Sequence, residues 1–146
     1  MTSFRQSIAS LETDLEEDDS NIQIKDDLAA CLIHVGKLLN AKGDLMSAAD
    51  AFRKAVPLAQ EVIDRSPFNV RYKARHADSF SEAGKFLVNL SKSETGQKRD
   101  ATAREACDNF RRSVAIWNEL RANGTLSAIY TGRLEEVSRL ILTKCP

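Results

Sequence analysis

Apolar residues recur along this chain at three- and four-residue intervals, the spacing that gathers them on one face of an α-helix. Phe4, Ile8, Leu11 and Leu15 make the first such stripe, and the polar run Glu16-Glu17-Asp18-Asp19-Ser20-Asn21 closes it. A second stripe of Leu28, Leu32, Val35 and Leu39 predicts a helix over about 22–41, with Asp19, Ser20 or Asn21 as its cap and Asp26 and Asp27 in its first turn, where the helix dipole favours negative charge. Lys42-Gly43-Asp44 ends it. Ala48, Phe52, Ala55, Val56, Ala59 and Ile63 predict a third helix over about 44–65 that continues with a bend through Pro57, since the period holds on both sides. Ser66-Pro67-Phe68-Asn69 forms a turn and cap before a fourth helix, about 70–90, whose core positions are Phe80, Ala83, Leu87 and Leu90. The apolar-free stretch Ser91 to Arg99 predicts a mobile, dispensable loop. A fifth helix, about 100–122, carries Ala106, Phe110, Val114, Trp117 and Leu120. Asn123-Gly124 stops it, and Thr125 is the expected cap of a sixth helix bearing Leu126, Ile129, Tyr130, Leu134, Val137, Leu140 and Ile141.

These stripes are copies of one another. Phe4-Arg5-Gln6-Ser7-Ile8, Phe52-Arg53-Lys54-Ala55-Val56 and Phe110-Arg111-Arg112-Ser113-Val114 repeat one phrase. The first two lie 48 residues apart, and the same offset superposes Asn21 on Asn69, Lys25 on Lys73, Ala29 on Ala77, Gly36 on Gly84 and Leu39 on Leu87. The second and third phrases are 58 apart, and the excess falls in 91–99. Internal repetition at such a period is the mark of a stacked helical array.

Within each copy, Leu32-x2-Val35-Gly36-x2-Leu39 is followed by Ala48-x3-Phe52, and Phe80-x2-Ala83-Gly84-x2-Leu87 by Ala106-x3-Phe110. Glycine on one helix and alanine on the next let two helices cross closely around a phenylalanine knob. This pattern resembles the tetratricopeptide repeat over nearly the whole chain. Three departures stand out: a period of 48 where that family uses about 34, Leu or Phe and Leu in place of the signature Trp and Tyr, and Gln60 where the terminal Pro belongs. It is similar to the lengthened repeats, with a Pro-x-Asn turn, found at the C-terminal end of some large bacterial signalling proteins, including Ser/Thr kinases. The resemblance implies an all-α domain of three antiparallel hairpins, about 1–43, 44–98 and 99–146, stacked as a short right-handed superhelix. It also implies a protein–protein interaction scaffold, with the first helix of each motif lining a concave face. Phe4 stands in mid-motif, so the chain is expected either to be a fragment of a longer protein or to begin on a helix adapted to stand alone.

Composition narrows the partners. Twenty-one basic residues balance twenty-one acidic ones, so the net charge favours neither nucleic acid nor an anionic membrane. Cys31, Cys107 and Cys145 are odd in number and far apart, which predicts reduced core thiols in a cytosolic protein. The opening Met1 to Gln6 has no signal-peptide apolar region, and no uncharged apolar run approaches the ~18 residues of a membrane span. Cytoplasmic localisation is the expectation.

Counted from the glycines, the resemblance turns Ala30, Ile33, Lys37 and Asn40 inward in one copy and Asp78, Ser81, Lys85 and Asn89 in the next. Lys37 and Lys85 share a register position, and their ammonium groups with the two amides suit an acidic or C-terminal peptide segment. The family's carboxylate clamp needs Lys where Ile33 stands and Asn where Lys37 stands, so its chaperone-tail specificity does not carry over. Solvated helix faces are the competing account of the same residues. The other reading of the whole is a ligand-binding sensor or regulatory domain.

Catalytic and metal chemistry find little footing. Cys31 and His34 are ligand-compatible on one helix, but no second pair completes a structural metal site. His76 lies in the basic stretch Arg71 to His76 and is expected to be exposed. Adjacent Glu135 and Glu136 point to different sides of a helix, and the six glycines form no phosphate loop. No cofactor and no enzymatic activity are expected. Arg5, Arg53 and Arg111 fit surface stems covering a neighbouring helix, and Trp117 fits the core stripe better than an exposed anchor.

Overall fold

Every apolar stripe becomes a helix. The computed structural model describes residues 2–146, which form α1 (Thr2–Glu17), α2 (Ile22–Ala41), α3 (Leu45–Arg65), α4 (Val70–Ser91), α5 (Gly96–Ala122) and α6 (Ala128–Lys144). Among the described residues there is no strand, and no helix is long and apolar enough to cross a membrane. The chain divides into two compact units, Met1–Pro67 and Phe68–Pro146. Consecutive helices pack on one another in each, and the closest pairings run α2 with α3 and α4 with α5, the even-to-odd order of the sequence motif.

In the first unit Asn21 caps α2 by accepting a hydrogen bond from the Ile24 amide at 3.2 Å, and Asp44 caps α3 through the Ser47 amide at 3.2 Å. Each satisfies a donor the helix start leaves without a partner. Gly43, at φ +84°, makes the tight turn between them, a backbone conformation that a side chain disfavours. α3 continues through Pro57, which is exposed. Leu28, Leu32, Val35 and Leu39 of α2 are buried with Ala48, Phe52, Ala55 and Ala59 of α3. α1 packs on α2, half-burying Phe4, Ile8, Leu11 and Leu15, with Phe4 stacked on His34 at 5.9 Å. Asp26 lies in the second turn of α2, not in a solvated first turn, and it is buried.

The second unit repeats this construction. Asn69 caps α4 through the Tyr72 amide at 3.0 Å, as its counterpart Asn21 caps α2. Phe80, Ala83, Leu87 and Leu90 of α4 are buried with Ala106, Phe110, Trp117 and Leu120 of α5. The Ser113 hydroxyl, buried at the position Ala55 fills in the first unit, donates to the Ala77 carbonyl oxygen at 2.7 Å. Arg112 lies over the Phe80 ring at 5.7 Å, a cation–π contact across the same pair of helices.

Two elements differ from the sequence expectation. The stretch 91–99 is not a loop: Ser91 ends α4 and Gly96 begins α5, so only 92–95 lie outside helices. Lys, Arg, Gln and Ala propagate a helix as well as apolar residues do, and the extra residues lengthen α5 to 27, against 21 in α3. Thr125 does not cap α6. Its hydroxyl donates back to the Leu120 carbonyl oxygen at 2.9 Å, closing the end of α5, while Ser127 occupies the N-cap position of α6. α6 also buries less than its pattern promised, since only Leu134 and Val137 are fully inside and Ile129 is exposed.

Candidate interaction surface

The α2–α3 and α4–α5 crossings are each set by one glycine. A Cβ added at Gly36 would lie 2.8 Å from the Phe52 ring, and one at Gly84 would lie 2.5 Å from the Phe110 ring. Carbon atoms normally rest at about 3.5–4.0 Å, so glycine is required for the phenylalanine rings to come this close to α2 and α4. That close approach fixes which residues of α2 and α4 turn away from their partner helices.

Of the predicted contact residues in the first unit, Lys37 is exposed, Asn40 and Ala30 are half-buried, and Ile33 is buried. Ile33 therefore serves packing. In the second unit Asn89 is exposed, Ser81 is buried, and Asp78 and Lys85 are half-buried. Asp78, Ser81 and Lys85 come together with Glu82, Arg133, Glu136 and Val137 around a cleft of about 150 Å³ between α4 and α6. Arg133 bonds Asp78 at 2.5 Å, Lys85 bonds Glu136 at 2.5 Å, and Glu82 lies 3.8 Å from Lys85. Burial raises the Asp78 pKa above the ordinary 3.8; the Arg133 charge opposes that shift, Glu82 adds to it, Lys85 opposes it and Glu136 adds to it. The cleft is thus a lattice of alternating charges in which α6 already supplies a carboxylate to Lys85.

The sequence register located another charged pair without revealing its role. Lys25 and Lys73 superpose in the repeat, and both are buried, at 7% and 5% exposure. Lys25 pairs with Glu61 on α3, and Lys73 pairs with Glu119 on α5. A lysine almost never enters a protein interior without a partner. The two carboxylates also correspond in the repeat, 58 residues apart. The only advance signal was the matched register of lysine and glutamate in both copies.

Other candidates resolve differently. His76 is fully buried, not exposed, because its place on α4 turns the ring inward whatever the charge of its sequence neighbours. Its Nδ1 lies 3.2 Å from Ser79 Oγ, and the Ser79 hydroxyl donates to the Arg75 carbonyl oxygen. The serine proton is therefore directed away from the imidazole, and the pair lacks the alignment of an activated nucleophile. Glu135 and Glu136 do face apart: Glu136 lines the charged cleft, and Glu135 lines a groove of about 510 Å³ beside α5 and α6 with Leu126, Leu134 and Leu142. Among the described residues no group of three or more His, Cys, Asp or Glu is placed to hold a metal.

The thiols are not all separate. Cys107 on α5 and Cys145 just past α6 form a disulfide with a Cα–Cα distance of 5.8 Å, and Cys31 stands outside it. The expectation of three reduced core thiols missed this because the partners are 38 residues apart in sequence. The turn between α5 and α6 lies about midway between them and folds them together. Trp117 is fully buried and stacks on Tyr130 of α6 at 5.1 Å. Comparison of the chain with protein-family models, curated proteins and solved structures found no match.

Proposed function

We propose that the chain is a protein-interaction module of tetratricopeptide-repeat type, docking an acidic or carboxylate-ended peptide segment against the first helices of its repeated hairpins. The observation that carries this reading is the duplication of a whole working part. The glycine–phenylalanine crossing, the asparagine cap and the buried lysine–glutamate pair recur in both units. Duplication at this level of detail yields equivalent outward positions, and those positions hold Lys37 on α2 and Lys85 on α4. An ammonium group on the first helix of a unit suits a carboxylate of a segment docked on that unit. The module is read as non-catalytic and cofactor-free, serving as a scaffold or regulatory part of a cytoplasmic signalling protein.

Lys85 gives the proposal a sharp test. A ligand carboxylate must displace Glu136 to reach it, so Glu136→Gln should tighten binding while Lys37→Ala and Lys85→Ala weaken it, each by about two- to fivefold. The probe is a panel of fluorescent peptides ending in acidic residues and a free carboxylate, titrated at two salt concentrations. Loss of either lysine should also flatten the salt dependence. If no peptide binds, or if Glu136→Gln and Lys85→Ala shift affinity in the same direction, the assignment of the surface is wrong.

A further inference from the structure

α6 is the most lightly held helix of the second unit. Among its described residues only Leu134 and Val137 are buried, whereas α5 buries nine of its own. Its other attachments include the half-buried Leu140 and Ile141, the Tyr130–Trp117 stack, the half-exposed Arg133–Asp78 and Lys85–Glu136 pairs, and the covalent bond from Cys145 to Cys107. The ion pairs are open to water and individually weak. The far end of α6 is fastened by the disulfide, close to Leu142, which is exposed.

We propose that the Cys107–Cys145 disulfide is a redox latch that keeps α6 docked and releases it on reduction, with α4 and α5 remaining folded. Cys107 is buried at 3% exposure and Cys145 is partly exposed, so the sulfur open to attack is that of Cys145. The reductant is a small monothiol, RSH. Its thiolate attacks Cys145 Sγ, the Sγ–Sγ bond breaks, and the electron pair leaves on Cys107 Sγ, which takes up a proton. A second thiolate then attacks the external sulfur of the mixed disulfide, expelling the Cys145 thiolate, which is protonated in turn. Two RSH become RSSR, and the protein gains two thiols, a balanced two-electron exchange. Once the tether is cut, α6 regains the freedom that a closed 38-residue loop denies it, which raises its opening equilibrium on the order of 10- to 100-fold. This device is independent of whether the first helices bind a peptide.

The chain carries its own reporter, since its single tryptophan is buried against α6. The full chain is equilibrated in glutathione redox buffers, and alkylation followed by intact mass counts its thiols. Trp117 emission and hydrogen exchange of 128–144 are then followed across the titration. In the oxidised protein only Cys31 should label. Reduction should red-shift Trp117 emission and speed exchange in α6 by about 10- to 100-fold, with α2 to α5 unchanged and full recovery on reoxidation. Cys145→Ser should show the released behaviour and ignore the buffer; wild type, reduced and reoxidised in place, gives the same comparison without a variant. Three labelled thiols at every oxidising potential overturn the proposal, as does a reduction that leaves α6 unchanged. Loss of protection throughout α4 and α5 also overturns it, because the bond is then a staple for the whole unit.

Discussion

Replacing the three glycines in helix interiors one at a time by alanine separates close packing from helix propensity. In a helix interior alanine is favoured over glycine by about 0.8–1.0 kcal/mol. Gly132, in α6, has nothing within 4 Å of an added Cβ, so Gly132→Ala should stabilise by roughly that amount. At Gly84 the new methyl would lie 2.5 and 2.7 Å from the Phe110 ring and 3.1 Å from the Ala106 carbonyl oxygen, and Phe110 is fully enclosed. Overpacking of this kind costs about 1–3 kcal/mol, which offsets or outweighs the propensity gain, so Gly84→Ala should lose up to about 2 kcal/mol against wild type and fall well short of the gain at Gly132. Gly36→Ala meets the Phe52 ring first, at 2.8 Å, and should fall between. Urea titration followed by Trp117 emission reads Gly84→Ala and Gly132→Ala, and far-ultraviolet circular dichroism reads Gly36→Ala. Adding Phe110→Leu to Gly84→Ala should restore room, giving a coupling of at least ~0.5 kcal/mol between the two sites. If Gly84→Ala stabilises as much as Gly132→Ala, the crossing is not set by glycine and the pairing of α4 with α5 is misjudged.

Phe52→Ala and Phe110→Ala should each cost about 3–5 kcal/mol, measured by denaturant melts; shifts of a degree or two in thermal midpoint would show that these rings are not core knobs. Glu119→Gln leaves the Lys73 ammonium buried without its carboxylate and should cost about 1–2 kcal/mol after allowance for the half-exposed glutamate, with Lys73→Met largely reversing the loss; an unchanged urea midpoint in the single variant argues against the pair. Asp78 takes up a proton more readily in the folded state than in the unfolded chain, since burial raises its pKa, so the folded protein binds more protons than the unfolded chain between the ordinary 3.8 and the raised value. Asp78's contribution to stability should therefore fall as pH rises through that window and level off above it. Asp78→Asn should remove that slope from a pH series of urea melts, and a slope that persists assigns it to another group.

Helices and crossings were legible because they depend on residue size at fixed spacing. Ala-x3-Phe after a glycine forces close approach whatever surrounds it, and both copies do pack that way. Pro57 was readable as internal because the stripe continued on both sides of it. Polarity was the poorer guide. The 91–99 stretch looked like a loop for want of apolar residues, yet most of it completes α4 and α5, because a solvent-facing turn of helix needs propensity and not hydrophobicity. His76 was misplaced for the same reason, its basic neighbours saying nothing about which face of α4 it occupies. Asp78 and Lys85 were found by register, but Arg133 and Glu136, which engage them, lie about 50 residues further on, and no local pattern links such partners. The disulfide and the two buried lysine pairs share that difficulty.

The buried lysines also decide how the chain meets reagents and enzymes that act on amines. Lys25 and Lys73 sit behind their carboxylates at 7% and 5% exposure, out of reach of acetyl donors and of trypsin, which needs an accessible, extended backbone, while Lys42, Lys54 and Lys92 stand in solvent. Each unit therefore holds one silent lysine that becomes modifiable only when that unit opens. Acylation at those two positions, compared with the solvent lysines in the same peptide map, would act as a pair of independent gauges of unfolding, one for Met1–Pro67 and one for Phe68–Pro146. An acetyl group, once attached there, would block reclosure by abolishing the charge that Glu61 or Glu119 neutralises.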